Sequence, residues 1–194
     1  MNKLIPELDA ALIRLDDAIV LDRKDTTKHR RWSHFVRSRD RFRCLICTSS
    51  EKLDAHHIIR KTLMPSARCQ PGNGITLCKK CHQEAHLGFN GRPDLQQPID
   101  AEDGEKLNIA GELFGVLARA SRAYPSRPIY YHWDPRILAN FAEIQGFPQG
   151  AQIPGTPIEQ AHFIWDRAPL QVTDAVIGAM FPGQRYSDRF APIA

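Results

Sequence analysis

The feature that most constrains this chain is a pair of Cys-x2-Cys motifs separated by 30 residues. Cys44 and Cys47 form the first motif, and Cys78 and Cys81 form the second. Four thiolates close a tetrahedral shell around one zinc ion and leave no position for a substrate. A fifth cysteine, Cys69, makes the count odd, whereas a disulfide framework requires an even number. The spacing therefore predicts one structural Zn2+ site, with Cys69 as a spare thiol.

Two adjacent histidines lie in the insert between these motifs. Residues 53–59 read Leu-Asp-Ala-His-His-Ile-Ile and are rich in strand-forming side chains, which predicts a short strand that ends in the paired histidines His56 and His57. Neighbouring residues on a regular strand point to opposite faces, so the two imidazoles cannot easily chelate one ion together. We expect one to bind a metal and the other to act as a general base, at a point where the strand twists or ends.

A turn, a second strand and a helix are predicted further along. Gly72-Asn73-Gly74 signals a turn, residues 75–77 form the strand, and residues 78–86 are expected to be helical. His82 and His86 are four positions apart and therefore share one helix face, a common arrangement for holding a transition metal. The order strand, turn, strand and helix brings three imidazoles to one place.

Taken together, these residues resemble the HNH (ββα-metal) nucleases, in the branch with four zinc-binding cysteines. The resemblance covers residues of about 39–88. It rests on the order and spacing of Cys44-x2-Cys47, Asp54-Ala55-His56-His57-Ile58, Asn73 and Leu77-Cys78-x2-Cys81-His82-x3-His86. It implies an α+β fold, in which a zinc-stapled ββα-metal core is preceded by a helix and followed by an α-helical region. The implied activity is metal-dependent endonucleolytic cleavage of DNA.

The resemblance also implies a role for each matching residue. His56 would bind the catalytic divalent metal, and His57 would be the general base that deprotonates the attacking water. Asn73 would brace the loop between the strands and so orient His57. His82 would be the second metal ligand, and His86 stands where bacteriocin-type members have a third.

The catalytic cofactor implied is a divalent ion, Mg2+, Mn2+, Ni2+ or Zn2+. Imidazole ligands suit zinc, nickel, cobalt and manganese, whereas an all-oxygen magnesium site would prefer carboxylates. Asp54 and Glu84 lie near these histidines in the sequence. They are candidates to support the ligands, although carboxylates of this kind are more often simply surface groups.

The positive charge of the chain is concentrated in one stretch. Residues 22–61 contain twelve basic and five acidic residues, a net charge of +7, while the whole chain carries +4. Clustered cations of this kind favour a polyanionic partner such as DNA, with a solvated basic surface as the alternative. A short helix is expected there, with Trp32, Phe35 and Val36 buried and the arginines outside. The candidate DNA-binding residues are Arg30, Arg31, Arg37, Arg39, Arg41 and Arg43.

The chain divides into three predicted parts: residues 1–38 with two helices, residues 39–90 with the nuclease core, and residues 91–194, α-helical and of unknown role. Residues 4–21 form an amphipathic helix whose apolar stripe packs on the rest of the chain or, alternatively, forms a dimer seam. Further helices are predicted near 104–122, 135–145, 157–167 and 173–180, with N-caps at Asp134, Thr156 and Thr173.

Two other functions compete with the isolated nuclease. One is a non-catalytic zinc-ribbon module that binds nucleic acid or protein. The other is a nuclease effector subunit of a toxin or defence complex, docking a partner through residues 4–21 or 104–194. No apolar run is long enough to span a membrane and no signal peptide is evident, so we expect a cytoplasmic protein of a prokaryotic or phage-infected cell. Restriction, phage packaging, mobile elements and defence are the settings that the resemblance implies.

Overall fold

The computed structural model describes residues 4–61, 64–87, 109–123 and 127–169, with isolated positions between 171 and 185. Within these residues the protein is a mixed α and β structure with six α-helices and one two-stranded sheet. The helices are α1 (Leu4–Val20), α2 (Asp25–Arg39), α3 (Lys79–Leu87), α4 (Ile109–Arg122), α5 (Pro135–Ile144) and α6 (Pro157–Asp166), and the strands are β1 (Leu53–His57) and β2 (Gly74–Cys78).

Helix α1 packs its apolar face against α2. The buried side chains recur at helical spacing, and they are Leu8, Ala11, Leu12, Leu15 and Ala18. Ile5 and Ile19, at the margin of the predicted stripe, are 37% and 39% exposed. The apolar face is thus covered within the chain, which is the first of the two alternatives that the sequence left open.

Helix α2 supplies the large side chains under the sheet. Trp32, Phe35 and Val36 are fully buried, as predicted from their spacing. A Cβ atom on Gly74 would lie 2.5 Å from Val36 Cγ2 and 2.6 Å from Trp32 Cζ2. Glycine at the start of β2 therefore allows α2 to approach the strand closely, which brings the Trp32 indole toward the end of β1.

The two strands are antiparallel, with His56 opposite Ile75 and His57 opposite Gly74. Strand β1 ends with the paired histidines, at His57, as predicted. The reason is that the N–H of Ile59 donates to Asn73 Oδ1, at 2.7 Å, rather than to the backbone of β2. The connecting segment, of which residues 58–61 and 64–73 are described, returns to β2 through two 3-10 turns, Pro65–Cys69 and Pro71–Asn73. Helix α3 follows β2 at once and packs against both strands.

Helices α4, α5 and α6 pack on one another in the C-terminal region. The predicted caps at the starts of α5 and α6 are present: Asp134 accepts from the N–H of Arg136, and Glu159 accepts from the N–H of Thr156. The start of the predicted helix over 104–122 and most of the one over 173–180 lie outside the described residues. Buried apolar side chains form one cluster from Leu8 to Ile164, so the N-terminal, central and C-terminal parts share a core.

None of the helices in the described part of the chain combines the length and apolar character that a membrane span requires.

Candidate functional site

The predicted four-cysteine cluster is present at the end of the sheet where β2 meets α3. The sulfur atoms of Cys44, Cys47, Cys78 and Cys81 all lie within 4.8 Å of one another. A tetrahedral zinc ion with bonds of about 2.3 Å places its sulfur ligands about 3.8 Å apart. The separation of Cys47 Sγ from Cys78 Sγ is 3.5 Å, so the cluster has the dimensions of a four-thiolate zinc site.

The pKa values of two thiols in this cluster are shifted by their surroundings. The N–H of Cys81 donates to the Cys78 sulfur and lowers the pKa of that thiol to about 7. Burial raises the pKa of the neighbouring Cys81 thiol, so four thiolates this close together are not stable without a positive charge between them. A zinc ion supplies that charge, and the donor set therefore suits zinc.

A second cluster, the histidine cluster, joins β1 to α3. It consists of His56 on the strand and of His82 and His86 on the helix, whose nitrogen ligand atoms lie within 4.8 Å of one another. The Nε2 atoms of His82 and His86 are 3.0 Å apart. Two nitrogens on a tetrahedral zinc ion are separated by about 3.3 Å, given bonds of about 2.0 Å. The ring nitrogens thus converge at the spacing of metal ligands.

The surroundings of the histidine cluster support a metal site. His56 is 3% exposed, and its Nε2 atom finds no hydrogen-bond partner in the described part of the structure. Burial lowers the pKa of His56 to about 3 and also lowers that of His82, so both rings are neutral and able to bind a cation at neutral pH. Asp54 Oδ2 lies 3.5 Å from His82 Nδ1, which directs Nε2 of that ring into the cluster.

His57 is held beside this cluster by its own set of contacts. Its Nε2 atom is 2.9 Å from the carbonyl oxygen of Arg68, which can only accept, so Nε2 carries the ring proton. The imidazole stacks on the Trp32 indole with 3.9 Å between ring centroids and 8° between planes. The pKa of His57 falls to about 4, chiefly because the ring is buried, with cationic Lys61 and Arg68 adding to the effect. The neutral ring therefore has its lone pair at Nδ1 at physiological pH.

His56 and His57 line one cleft although they are sequence neighbours on a strand. The cleft has a volume of about 290 Å³ and also contains His82, His86, Arg60 and Lys61 in its wall. His57 is the last residue of the ladder, so β1 ends where the two side chains meet the cleft, as the sequence led us to expect. Arg60 and Lys61 were not among the predicted DNA-binding residues. The sequence feature that could have identified them is their position at the end of the +7 stretch, three and four residues after His57.

Asn73 lies at the base of the connecting segment and is fully buried. Its Oδ1 accepts from the N–H of Ile59, and its Nδ2 donates to the carbonyls of Ile59 and Ala67, at 3.0 and 3.1 Å. The carbonyl of Ala67 precedes that of Arg68, which holds His57. Asn73 therefore fixes the backbone from which the His57 ring is oriented.

One predicted DNA-binding residue is not on the surface. Arg39 is 3% exposed and donates to the carboxylate of Asp40 and to the carbonyls of Pro71 and Gly74, so the expectation that it contacts DNA is wrong. The hydrogen bonds of its guanidinium are made to acceptors within the protein. Arg30, Arg41 and Arg43 are exposed, and Arg31 and Arg37 are half-buried. The remaining predicted cations thus lie at the surface, while Cys69 is buried apart from the four-cysteine cluster.

No family model, no curated protein and no solved structure matches this chain. Its function is therefore inferred from the side chains of the two clusters and of the cleft.

Proposed function

We propose that this protein is a metal-dependent HNH-type endonuclease that hydrolyses phosphodiester bonds in DNA. The observation that carries the proposal is the juxtaposition of a three-histidine cluster with a separate, differently held histidine in one cleft. Three ligands of one kind suit a cation that keeps open positions for a substrate. A fourth histidine bonded to a backbone carbonyl instead suits a proton acceptor.

His57 would accept the proton of the attacking water at Nδ1, while Nε2–H stays bonded to the Arg68 carbonyl. The water oxygen forms a bond to phosphorus, the bond from phosphorus to O3′ breaks, and the leaving oxygen takes a proton from solvent. The products are a 5′-phosphate and a 3′-hydroxyl. A pKa of about 4 keeps the ring neutral, and the negative charge of a docked phosphodiester raises the pKa and so the basicity of His57.

His56, His82 and His86 would hold the catalytic ion. When bound, a divalent cation stabilises the negative charge that develops on the phosphate and the leaving oxygen. The cleft around these ligands is electropositive through Arg60 and Lys61, which suits a phosphate backbone. The four-cysteine zinc would act structurally, because Cys81 precedes His82 on α3 and so sets where that helix meets β1.

Cleavage of supercoiled plasmid DNA, measured with and without chelator and over a titration of Mg2+, Mn2+, Ni2+ and Zn2+, tests the proposal. His57→Ala should lower the rate by about 100- to 10,000-fold while the protein keeps its zinc, because a positioned general base contributes that much. Excess metal should not rescue it. His82→Ala should also lose activity, but through weaker binding of the ion, so that excess metal restores part of it.

His162→Ala is the matched control, since His162 is half-buried on α6 and lies outside the cleft. It should cleave at the wild-type rate. A wild-type protein that contains zinc and binds DNA, yet shows no metal-dependent cleavage, would instead support the non-catalytic zinc-ribbon function. If the wild type is active and His57→Ala cleaves at the same rate, the role of His57 as general base is refuted, although the nuclease activity itself is not.

A further inference from the structure

The backbone of residues 67–70 is the meeting point of three side chains from different elements. Asn73 Nδ2 donates to the carbonyl of Ala67, His57 Nε2 to that of Arg68, and Trp32 Nε1 to that of Gln70, at 3.1, 2.9 and 3.0 Å. The carbonyl of Gln70 also accepts from the N–H of Asn73, at 3.1 Å. Two supports of the His57 ring, its hydrogen-bond acceptor and the Trp32 indole it stacks on, are therefore fixed to this short stretch.

This stretch is in turn bound to the C-terminal region. The side-chain Oε1 of Gln70 accepts from the N–H of Asp134, at 2.6 Å, and the N–H of Gly72 donates to the carbonyl of His132, at 2.9 Å. Gly72 is also in close contact with Trp133, since a Cβ atom there would be 2.3 Å from Trp133 Cδ1. Gln70 takes part in both sets of contacts. Its side chain bonds to the backbone of Asp134, and its own carbonyl accepts from Trp32.

We propose that Gln70 is a positioning residue for His57, through which the C-terminal region orients the proton acceptor of the cleft. The proposal rests on the nuclease function argued above. The Gln70 side chain anchors residues 67–70 to the backbone of Asp134, and that anchorage keeps the Arg68 carbonyl and the Trp32 indole in place around the imidazole. The C-terminal region, to which the sequence assigned no part in catalysis, thereby contributes to the geometry of the site through the backbone of Asp134.

Gln70→Met and Gln70→Glu test this with side chains of similar size. Methionine lacks the strong oxygen acceptor, whereas glutamate retains one for the Asp134 N–H. We expect Gln70→Met to lower kcat at least about tenfold with KM little changed, because an ångström of misplacement at a catalytic group costs about 100-fold. Gln70→Glu should cleave within about twofold of wild type, since its oxygen still accepts that bond.

A spectroscopic measurement reads the positioning without any cleavage. In the zinc-loaded, 15N-labelled protein, His57 should show a single Nε2–H tautomer whose proton exchanges slowly with water. In Gln70→Met that proton should exchange faster and the tautomers should mix. Because this signal does not depend on activity, a failure of the nuclease proposal leaves it intact, and a failure of the positioning proposal leaves the nuclease intact.

Three further variants distinguish a loss of His57 positioning from a simple loss of stability. Gln160→Met removes side-chain hydrogen bonds that lie within the C-terminal region, from Gln160 Nε2 to the carbonyls of Ile153 and Gly155. Asp134→Pro removes the N–H donor itself, and Asp134→Ala is its control, because both lose the helix cap but alanine keeps the N–H. We expect the His57 signal to change in Gln70→Met and Asp134→Pro only. An unchanged signal in those two variants, or an equal change in Gln160→Met, overturns the proposal.

Discussion

Arg39 and Asp40 form a buried two-pronged ion pair although they are adjacent in the sequence. Arg39 Nε lies 2.8 Å from Asp40 Oδ1 and Nη2 lies 3.1 Å from Oδ2, with the two side chains 1% and 0% exposed. The guanidinium also donates to the carbonyl of Gly74, and the carboxylate accepts from the N–H of Thr76. The pair therefore ties the end of α2 to both the start and the middle of β2.

Replacing Arg39 with alanine should destabilise the protein rather than weaken binding to DNA. The change leaves the Asp40 carboxylate buried without its cation, a situation that typically costs about 3 to 5 kcal/mol of unfolding free energy. Equilibrium unfolding in urea measures the loss. Arg37→Ala is the control, since Arg37 is half-buried and donates to the carbonyl of Ser33 on its own helix, and it should change stability by at most about 0.5 kcal/mol. Equal effects of the two changes would contradict the assignment of Arg39 to the core.

The sequence could not separate Arg39 from its neighbours, because all the arginines between residues 30 and 43 occur in the same basic pattern. What distinguishes Arg39 is a set of carbonyls more than 30 residues away, at Pro71 and Gly74. Burial of a charge is decided by such tertiary partners, and local charge density does not report them.

The part of each cluster that lies at the end of β2 and on α3 could be predicted because its geometry is local. Cys78, Cys81, His82 and His86 follow one another through the end of β2 and along α3, so strand and helix periodicity alone fixes their faces. The orientation of His57 could not be predicted, since Trp32 and Arg68 reach it from two other segments. The hydrogen bond between Gln70 and Asp134 joins residues 64 positions apart, and no periodic pattern in the sequence indicates it.

The four-cysteine cluster should bind about one equivalent of zinc that is required for folding. Cys44→Ser should lose that zinc and lower the melting temperature, because the binding energy of a structural zinc is folding energy. Elemental analysis together with thermal melting gives both quantities. Cys69→Ser is the matched control, as this thiol is buried outside the cluster, and it should keep its zinc. Zinc retained at the wild-type level in Cys44→Ser would place the metal elsewhere.

The stability of the protein should fall in mild acid. Folding lowers the pKa of His56 from 6.5 to about 3 and that of His57 from 6.5 to about 4, so the unfolded chain binds more protons than the native state between these values. The contribution of these groups is complete above about pH 6.5 and is lost as the pH falls toward 4. Urea unfolding at pH 7.5, 6 and 5 should show the decline.

His57→Gln isolates the part of this decline that belongs to one ring. Glutamine does not titrate but can still donate to the Arg68 carbonyl, so its unfolding free energy should depend less steeply on pH than that of the wild type. Protonation of the zinc ligands affects both proteins alike and cancels in the difference. Parallel curves would mean that His57 titrates normally in the native state.

Lys61 should contribute to DNA binding in a way that depends on salt and not on base sequence. Its ammonium group is exposed, lines the cleft, and is close enough to His57 to lower the pKa of that ring. A lysine that neutralises one phosphate releases one condensed counterion, so Lys61→Ala should reduce the slope of log affinity against log salt by about 0.9 on duplex DNA. Lys61→Arg should restore most of that slope.

The control is Arg136→Ala, which removes the same charge from an exposed position on α5, outside the cleft, and should leave the slope unchanged. Titrations of a labelled duplex at several salt concentrations, in the presence of chelator so that no strand is cut, provide the measurement. If Lys61→Ala and Arg136→Ala show the same slope of log affinity against log salt, the cleft does not bind the phosphate backbone. The basic residues near the cleft would then form only a solvated surface.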